Sequence, residues 1–201
     1  MKYRIKHTNI FRYESEVEQS LNTIRLKPRN NECQRVLSYI CNITPNSMTK
    51  EYVDIWRNNV GSFFIAEKHK ELVITTSSIV SVQKAPYIFQ IQYSEEMKNI
   101  FHSQMFREHY LPYLSMSYYT TLTQAQIDEI LTGVGGLIDN PVRLACNIMY
   151  YLYETIRYDI DATTVNTTAS EAYALKAGVC QDYTHIMLGI LRYCGIPARY
   201  I

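Results

Sequence analysis

A chain of 201 residues, 47% apolar and 19% charged, is long enough to bury a core as one large domain or two small ones. Its formal net charge of +1, with no run of five like charges, argues against electrostatic capture of nucleic acid or an anionic membrane. No stretch nears the roughly 18 apolar residues of a membrane span, and the N-terminal MKYRIKHTNIFRY lacks the apolar segment of a signal peptide.

The first 83 residues read as β. Tyr3, Ile5 and then Phe11, Tyr13 recur at period two, and Leu37, Tyr39, Cys41 and Ile43 alternate against Gln34, Val36 and Ser38. Asp54-Ile55-Trp56 reads as a strand running into a hairpin turn over Arg57–Gly61, with Phe63-Phe64-Ile65 returning. Leu72–Thr76 and Ile79–Val82 are β-branched runs, which helices disfavour. Short strands separated by turn signals predict an all-β sandwich or barrel-like domain over 1–83, and the 18 tyrosines suit it.

Residues 84–122 read as a connector with a short helix near Ser94–Phe106, and beyond Thr123 the pattern turns helical. Thr123 caps a helix that Gly133, Gly135 and Gly136 end. Asn140-Pro141 opens a stronger one, with Val142, Ala145, Ile148-Met149, Leu152 and Ile156 as its apolar stripe. Thr168 or Ser170 starts a short helix over Glu171–Lys176, stopped by Gly178. The last helix begins at Cys180, with Tyr183, Met187, Ile190-Leu191 and Cys194 facing the core. The fold class is therefore α+β, in two main regions, 1–83 and 123–201.

Five cysteines with no CxxC pair fit reduced thiols, hence a cytoplasmic protein, better than a disulfide framework. Cys180 and Cys194 are about 21 Å apart along a continuous helix, too far to bridge. Of the five, Cys180 stands where a helix N-terminus favours a thiolate and where free N–H groups can receive an oxyanion. The residues alone leave an inert buried thiol and a nucleophile about equally supported. His7 and His69 read as packing or turn-capping residues. His102 and His109 lack an acidic or thiol partner at metal-binding spacing, so no metal is expected. Asp182 reads as a dipole or structural hydrogen-bonding residue, and Arg199 as an anchor after Gly195-Ile196-Pro197-Ala198.

Thr163-Thr164-Val165-Asn166-Thr167-Thr168-Ala169-Ser170-Glu171-Ala172, then Gly178-Val179-Cys180-Gln181-Asp182-Tyr183-Thr184-His185 and Leu191-Arg192-Tyr193-Cys194-Gly195-Ile196-Pro197-Ala198-Arg199-Tyr200, closely resemble the core of bacterial transglutaminase-like proteins. Tyr3, His7, Thr8, Tyr13, Leu26, Pro28, Arg29, His69 and Leu72 are similar to the β-rich region preceding that core in one bacterial subfamily. The resemblance implies that residues 123–201 form the helical half of a papain-like core, with Cys180 as the nucleophile of a Cys-His-Asp triad. It implies a cysteine protease or amidase acting on peptide or glutamine amides through a thioester, hydrolysis ranking ahead of transamidation, with no metal or organic cofactor. The expected partner is a peptide or protein amide substrate, not nucleic acid and not a membrane.

The family's triad histidine and aspartate lie beyond the cysteine helix and have no counterpart here, so the expectation is a truncated core, inactive as it stands. His185 lies on the same helix as Cys180, on another face, and does not substitute. An unfinished strand edge would need covering, a second copy of the chain being one way. A non-catalytic binding or scaffold module on the same fold is the alternative. An intact reading frame continuing past Ile201 with the strands carrying the base would identify the truncation.

Overall fold

The computed structural model describes residues 1–84 and 92–200. It divides into two compact units, Met1–Pro86 and Tyr87–Ile201. In chain order the first unit holds strands β1 (Lys2–Val17), β2 (Ser20–Ile24), β3 (Gln34–Thr44), β4 (Thr49–Val53), β5 (Asn59–Ile65) and β6 (His69–Val82). They form two antiparallel sheets of order β1-β6-β3 and β2-β5-β4.

Period-two patterning makes this a sandwich. On β6, Leu72, Ile74, Thr76, Ser78 and Val80 are all buried while the residues between them are not. Leu72 and Ile74 meet Ile43 of β3 and Phe63 and Ile65 of β5, with Tyr13, Ile24, Leu26 and Cys41 around them. The β3 alternation differs from the sequence expectation at one point. Val36 pairs with Val80 and Ser38 with Ile79, so Leu37 is an extra residue at a bulge and is exposed.

The β4–β5 hairpin also differs. Asp54-Ile55-Trp56 belongs to the turn, and Val60-Gly61 to the returning strand. Asp54 organises the turn: Oδ1 accepts from the Trp56 and Asn58 N–H groups at 3.0 and 2.8 Å. Oδ2 accepts from the Asn58 side chain and from Arg25 at 3.0 and 3.3 Å. His69 is buried; its ring nitrogens sit 2.9 Å from Glu67 O and 3.4 Å from Ser20 Oγ, and Tyr13 lies edge-on.

Residues 85–91 of the expected connector lie outside the described residues. The second unit is described from Gln92 and holds first α1 (Glu95–Phe101), capped by Ser94, then α2 (Gln104–His109), capped by Ser103, and α3 (Leu111–Leu114). A 3₁₀ turn at Tyr118–Thr120 leads to α4 (Gln124–Gly133) and α5 (Pro141–Thr155). Next come β7 (Arg157–Tyr158), α6 (Ala169–Leu175), β8 (Ala177–Gly178) and α7 (Cys180–Tyr193).

Thr123 and Gln126 form a reciprocal capping box, as do Thr168 and Glu171, while Asn140 Oδ1 accepts from the N–H groups of Val142 and Arg143. The α5 stripe is Leu144, Ile148 and Leu152, with Ile156 just beyond; Met149, placed on it by the sequence pattern, is exposed. These side chains join Ile130, Ala169, Ala172, Ile186 and Ile190 in one core. A Cβ on Gly189 would lie 2.2 Å from Thr120 O, so this mid-helix glycine lets α7 touch the 3₁₀ turn. Arg192 fixes the segment after α7 through Ala198 O, at 3.2 and 3.0 Å, and also donates to Thr120 Oγ1. Among the described residues no helix is long and apolar enough to cross a membrane.

The sole tryptophan, Trp56, makes fluorescence a reporter of the first unit. Leu72→Ala removes a fully buried side chain, and an expected loss of about 2–5 kcal/mol lowers the urea midpoint read by Trp56; an unchanged midpoint counts against the core assignment. A second outcome concerns Asp54. Burial works to raise its pKa, but hydrogen bonds from Asn58, Arg25 and Trp56 outweigh it and hold the carboxyl below its ordinary value. Its stabilisation is therefore present above the unfolded pKa of about 4 and fades as pH falls through the folded value. Between about pH 6 and about pH 3 the wild-type midpoint should fall further than that of Asp54→Asn; equal falls would refute the assignment.

Candidate active site

The path into α7 is set by its neighbours. Helix α6 ends at Leu175 and is capped by Lys176 in the left-handed conformation, so Lys176, and not Gly178 as the sequence suggests, is the stop. A lysine there has compensation: its Nζ lies 3.2 Å from the Tyr173 ring centroid and 2.9 Å from Glu129 Oε1. Ala177 and Gly178 then pair in parallel with Arg157 and Tyr158, and Asp159 N–H donates to Gly178 O at 3.0 Å. Val179 is extended and Cys180 opens α7, exposed.

Gly178 is required by what lies against it. A Cβ at this position would fall 2.5 Å from Asp182 Oδ2 and 2.8 Å from Asp182 Cβ and Cγ. Asp182, only 1% exposed, accepts through Oδ2 from Val179 N–H at 2.7 Å and from the Thr163 hydroxyl at 2.6 Å. It thus supplies half of a capping box, and Val179 has no side-chain acceptor to supply the other half. The N–H groups of Cys180 and Gln181 have no acceptor among the described residues. They lie beside the exposed thiol, at the positive end of a helix, where a developing negative charge is stabilised.

The 159–168 loop is tied to the same end of the helix. Besides Thr163, Val165 O accepts from Gln181 Nε2 at 3.2 Å. Thr184 Oγ1 donates to Cys180 O at 2.7 Å, and the Tyr183 hydroxyl donates to Ile156 O. Burial, and then the proximity of Tyr153 and Cys180, raise the Tyr183 pKa, so it stays a neutral donor. The α7 core face is broader than the sequence stripe: Ile186 and Ile190 are its centre, Leu188 and Gly189 are also buried, and Tyr183, Met187 and Cys194 flank it.

The other singled-out residues stand apart from the thiol. His185 lies between the Tyr119 and Tyr200 rings, and burial, partly offset by the charge of Asp182, lowers its pKa. No imidazole hydrogen-bonds Cys180 among the described residues. His102 sits 3.3 Å from Asp139, His109 packs on Tyr110, and exposed His7 contacts Asn9. Among the described residues no group of three or more His, Cys, Asp and Glu side chains could hold a metal ion. Sequence reasoning misses Thr163 and Tyr183 as hydrogen-bonding residues; both fall within or beside the quoted motif, but their hydroxyl partners lie on other segments.

Residues 3–81 match the family model of the bacterial transglutaminase-like N-terminal region, and residues 130–201 match that of the transglutaminase-like superfamily. The chain belongs to this superfamily and carries the bacterial N-terminal region ahead of the core. It is similar over its whole length to an uncharacterized protein of Mycobacterium leprae, 28% identical and covered over 70% of its own length. An uncharacterized protein of Mycobacterium tuberculosis is 25% identical and is covered over 64%. A solved structure from Cytophaga hutchinsonii, named as a "Putative Cysteine Protease", superposes with a TM-score of 0.71 at 16% identity, over 98% of this chain and 65% of that one. The chain thus spans about two thirds of the length of these proteins. The α+β fold, an N-terminal β sandwich followed by the helical half of a papain-like core, is the one shared.

Gly178→Ala should strain the contact with Asp182 and destabilise the second unit by about 1–3 kcal/mol, read as a lower melting temperature of the helical circular dichroism signal. An unchanged melting temperature would show that Asp182 does not need this close approach.

Proposed function

We propose that Cys180 is the nucleophile of a cysteine peptidase or amidase of the transglutaminase-like class, acting on amide bonds of peptides or proteins. The observation that carries this reading is the exposed Cys180 at the first position of α7, where its own N–H and that of Gln181 have no acceptor among the described residues. The Cys180 thiolate attacks the amide carbonyl and the N–H groups receive the oxyanion. The C–N bond breaks, the amine leaves with a proton, and a thioester remains. Water then releases the acid and returns the thiol, or a second amine takes the acyl group. Hydrolysis ranks first because the thiol is open to solvent.

An efficient cycle also needs an imidazole within hydrogen-bond reach of the thiol, and His185 does not supply it. The chain of 201 residues is therefore expected to turn over an amide substrate at background rate. Turnover that Cys180→Ala abolishes would contradict this.

Thiol reactivity tests the nucleophile independently of turnover. With iodoacetamide near neutral pH, Cys180 should alkylate well ahead of Cys33, Cys41, Cys146 and Cys194. Burial pushes the Cys194 thiol up to about 11, which makes it the slow internal standard. A Cys180 that reacts no faster than half-buried Cys33 or Cys146 would favour a binding module built on the same fold.

A further inference from the structure

Asp182 uses one of its two carboxylate oxygens. Oδ2 takes the hydrogen bonds from Val179 and Thr163, whereas Oδ1 is buried and has no partner among the described residues. A buried carboxylate oxygen without a donor is costly. One turn along the same helix, His185 Nδ1 is also buried and also without a partner among the described residues. Side chains at i and i+3 are neighbours on a helix, although the structure shows no hydrogen bond between these two atoms. The two are close enough for the Asp182 charge to act on the ring.

We propose that a small side-chain adjustment closes Asp182 and His185 into a carboxylate–imidazole pair, His185 Nδ1–H donating to Asp182 Oδ1, and that this pair positions the turn presenting Cys180. One proton arrangement satisfies both atoms. Both donors point at Oδ2, which leaves Oδ1 to accept a proton carried on the imidazole Nδ1. Asp182 is then held by the Val179 backbone, by the 159–168 loop and by its own helix. The positioning role rests on the reading of Cys180 as nucleophile; the pair itself does not.

Nitrogen-15 NMR of the imidazole side chains in the whole chain tests the pair directly. The wild type should show His185 with Nδ1 protonated and Nε2 bare, the reverse of the tautomer favoured by free histidine. In Asp182→Asn the amide oxygen must face the Val179 and Thr163 donors, so the NH₂ group takes the Oδ1 position. A donor there should switch His185 to the Nε2–H tautomer. A wild-type His185 protonated on Nε2, or a tautomer that Asp182→Asn leaves unchanged, overturns the pair. Should Asp182→Asn fail to fold, the wild-type spectrum decides alone.

The positioning role is read from Cys180 alkylation. His185→Leu should slow it severalfold, and His185→Gln, whose amide can still donate to Oδ1, should restore much of the rate. A rate indifferent to both overturns the positioning role. A Cys180 unreactive already in the wild type would instead count against the nucleophile and leave the tautomer result standing.

Discussion

A carboxylate withdrawn from water has to find donors, and the helical unit is arranged around that need at Asp182. The Oδ2 atom draws together the Val179 backbone, the Thr163 hydroxyl and the first turn of α7. Gly178 is a consequence, because the carboxylate occupies the space a side chain would take. The short β7–β8 pairing serves the same end, since it delivers Gly178 to the helix in an extended path. Replacing these bonds by an apolar contact of similar volume would be thermodynamically tolerable. What they supply is a single conformation for the residue at the helix start.

The rest of α7 makes that conformation rigid. Ile186 and Ile190 are fully buried, Gly189 touches Thr120 O, and the Tyr183 hydroxyl reaches Ile156 O. A side chain at the first position of such a helix is presented to solvent from a fixed scaffold, which a nucleophile needs and a packing residue does not. Cys194, just past the other end of the helix and half-buried, shows the contrast: burial raises its thiol pKa and disarms it. The two cysteines differ in setting, one exposed at the helix N-terminus and the other in an apolar surrounding.

Features that depend on a few consecutive residues are legible in the sequence. Thr123 and Asn140-Pro141 place their helix starts correctly, and Thr168 is one of the two caps the sequence offers for α6, because capping is a bond to a group two or three residues away. Features set across the fold are not. The bulge at Leu37 depends on its register with β6. The Asp54 turn reads as strand because Ile55 and Trp56 look apolar, while its carboxylate bonds point back into the turn. Gly178 has the signature of a helix stop, although its absent side chain serves Asp182 and Lys176 makes the stop through Tyr173 and Glu129. The motif around Cys180 singles it out as the candidate nucleophile, but Thr163 as the partner of Asp182 needs the tertiary structure.

The proposed role of Cys180, an exposed cysteine at a helix start in a chain of the transglutaminase-like superfamily, requires one chemical event, acylation of its thiol. An activated ester bypasses the need for a general acid, because p-nitrophenolate departs without being protonated. Treatment of the purified chain with p-nitrophenyl acetate, followed by peptide mass mapping, therefore tests that event directly. The predicted result is one acetyl group, on Cys180; an acetyl group on another cysteine, or on none, would contradict it.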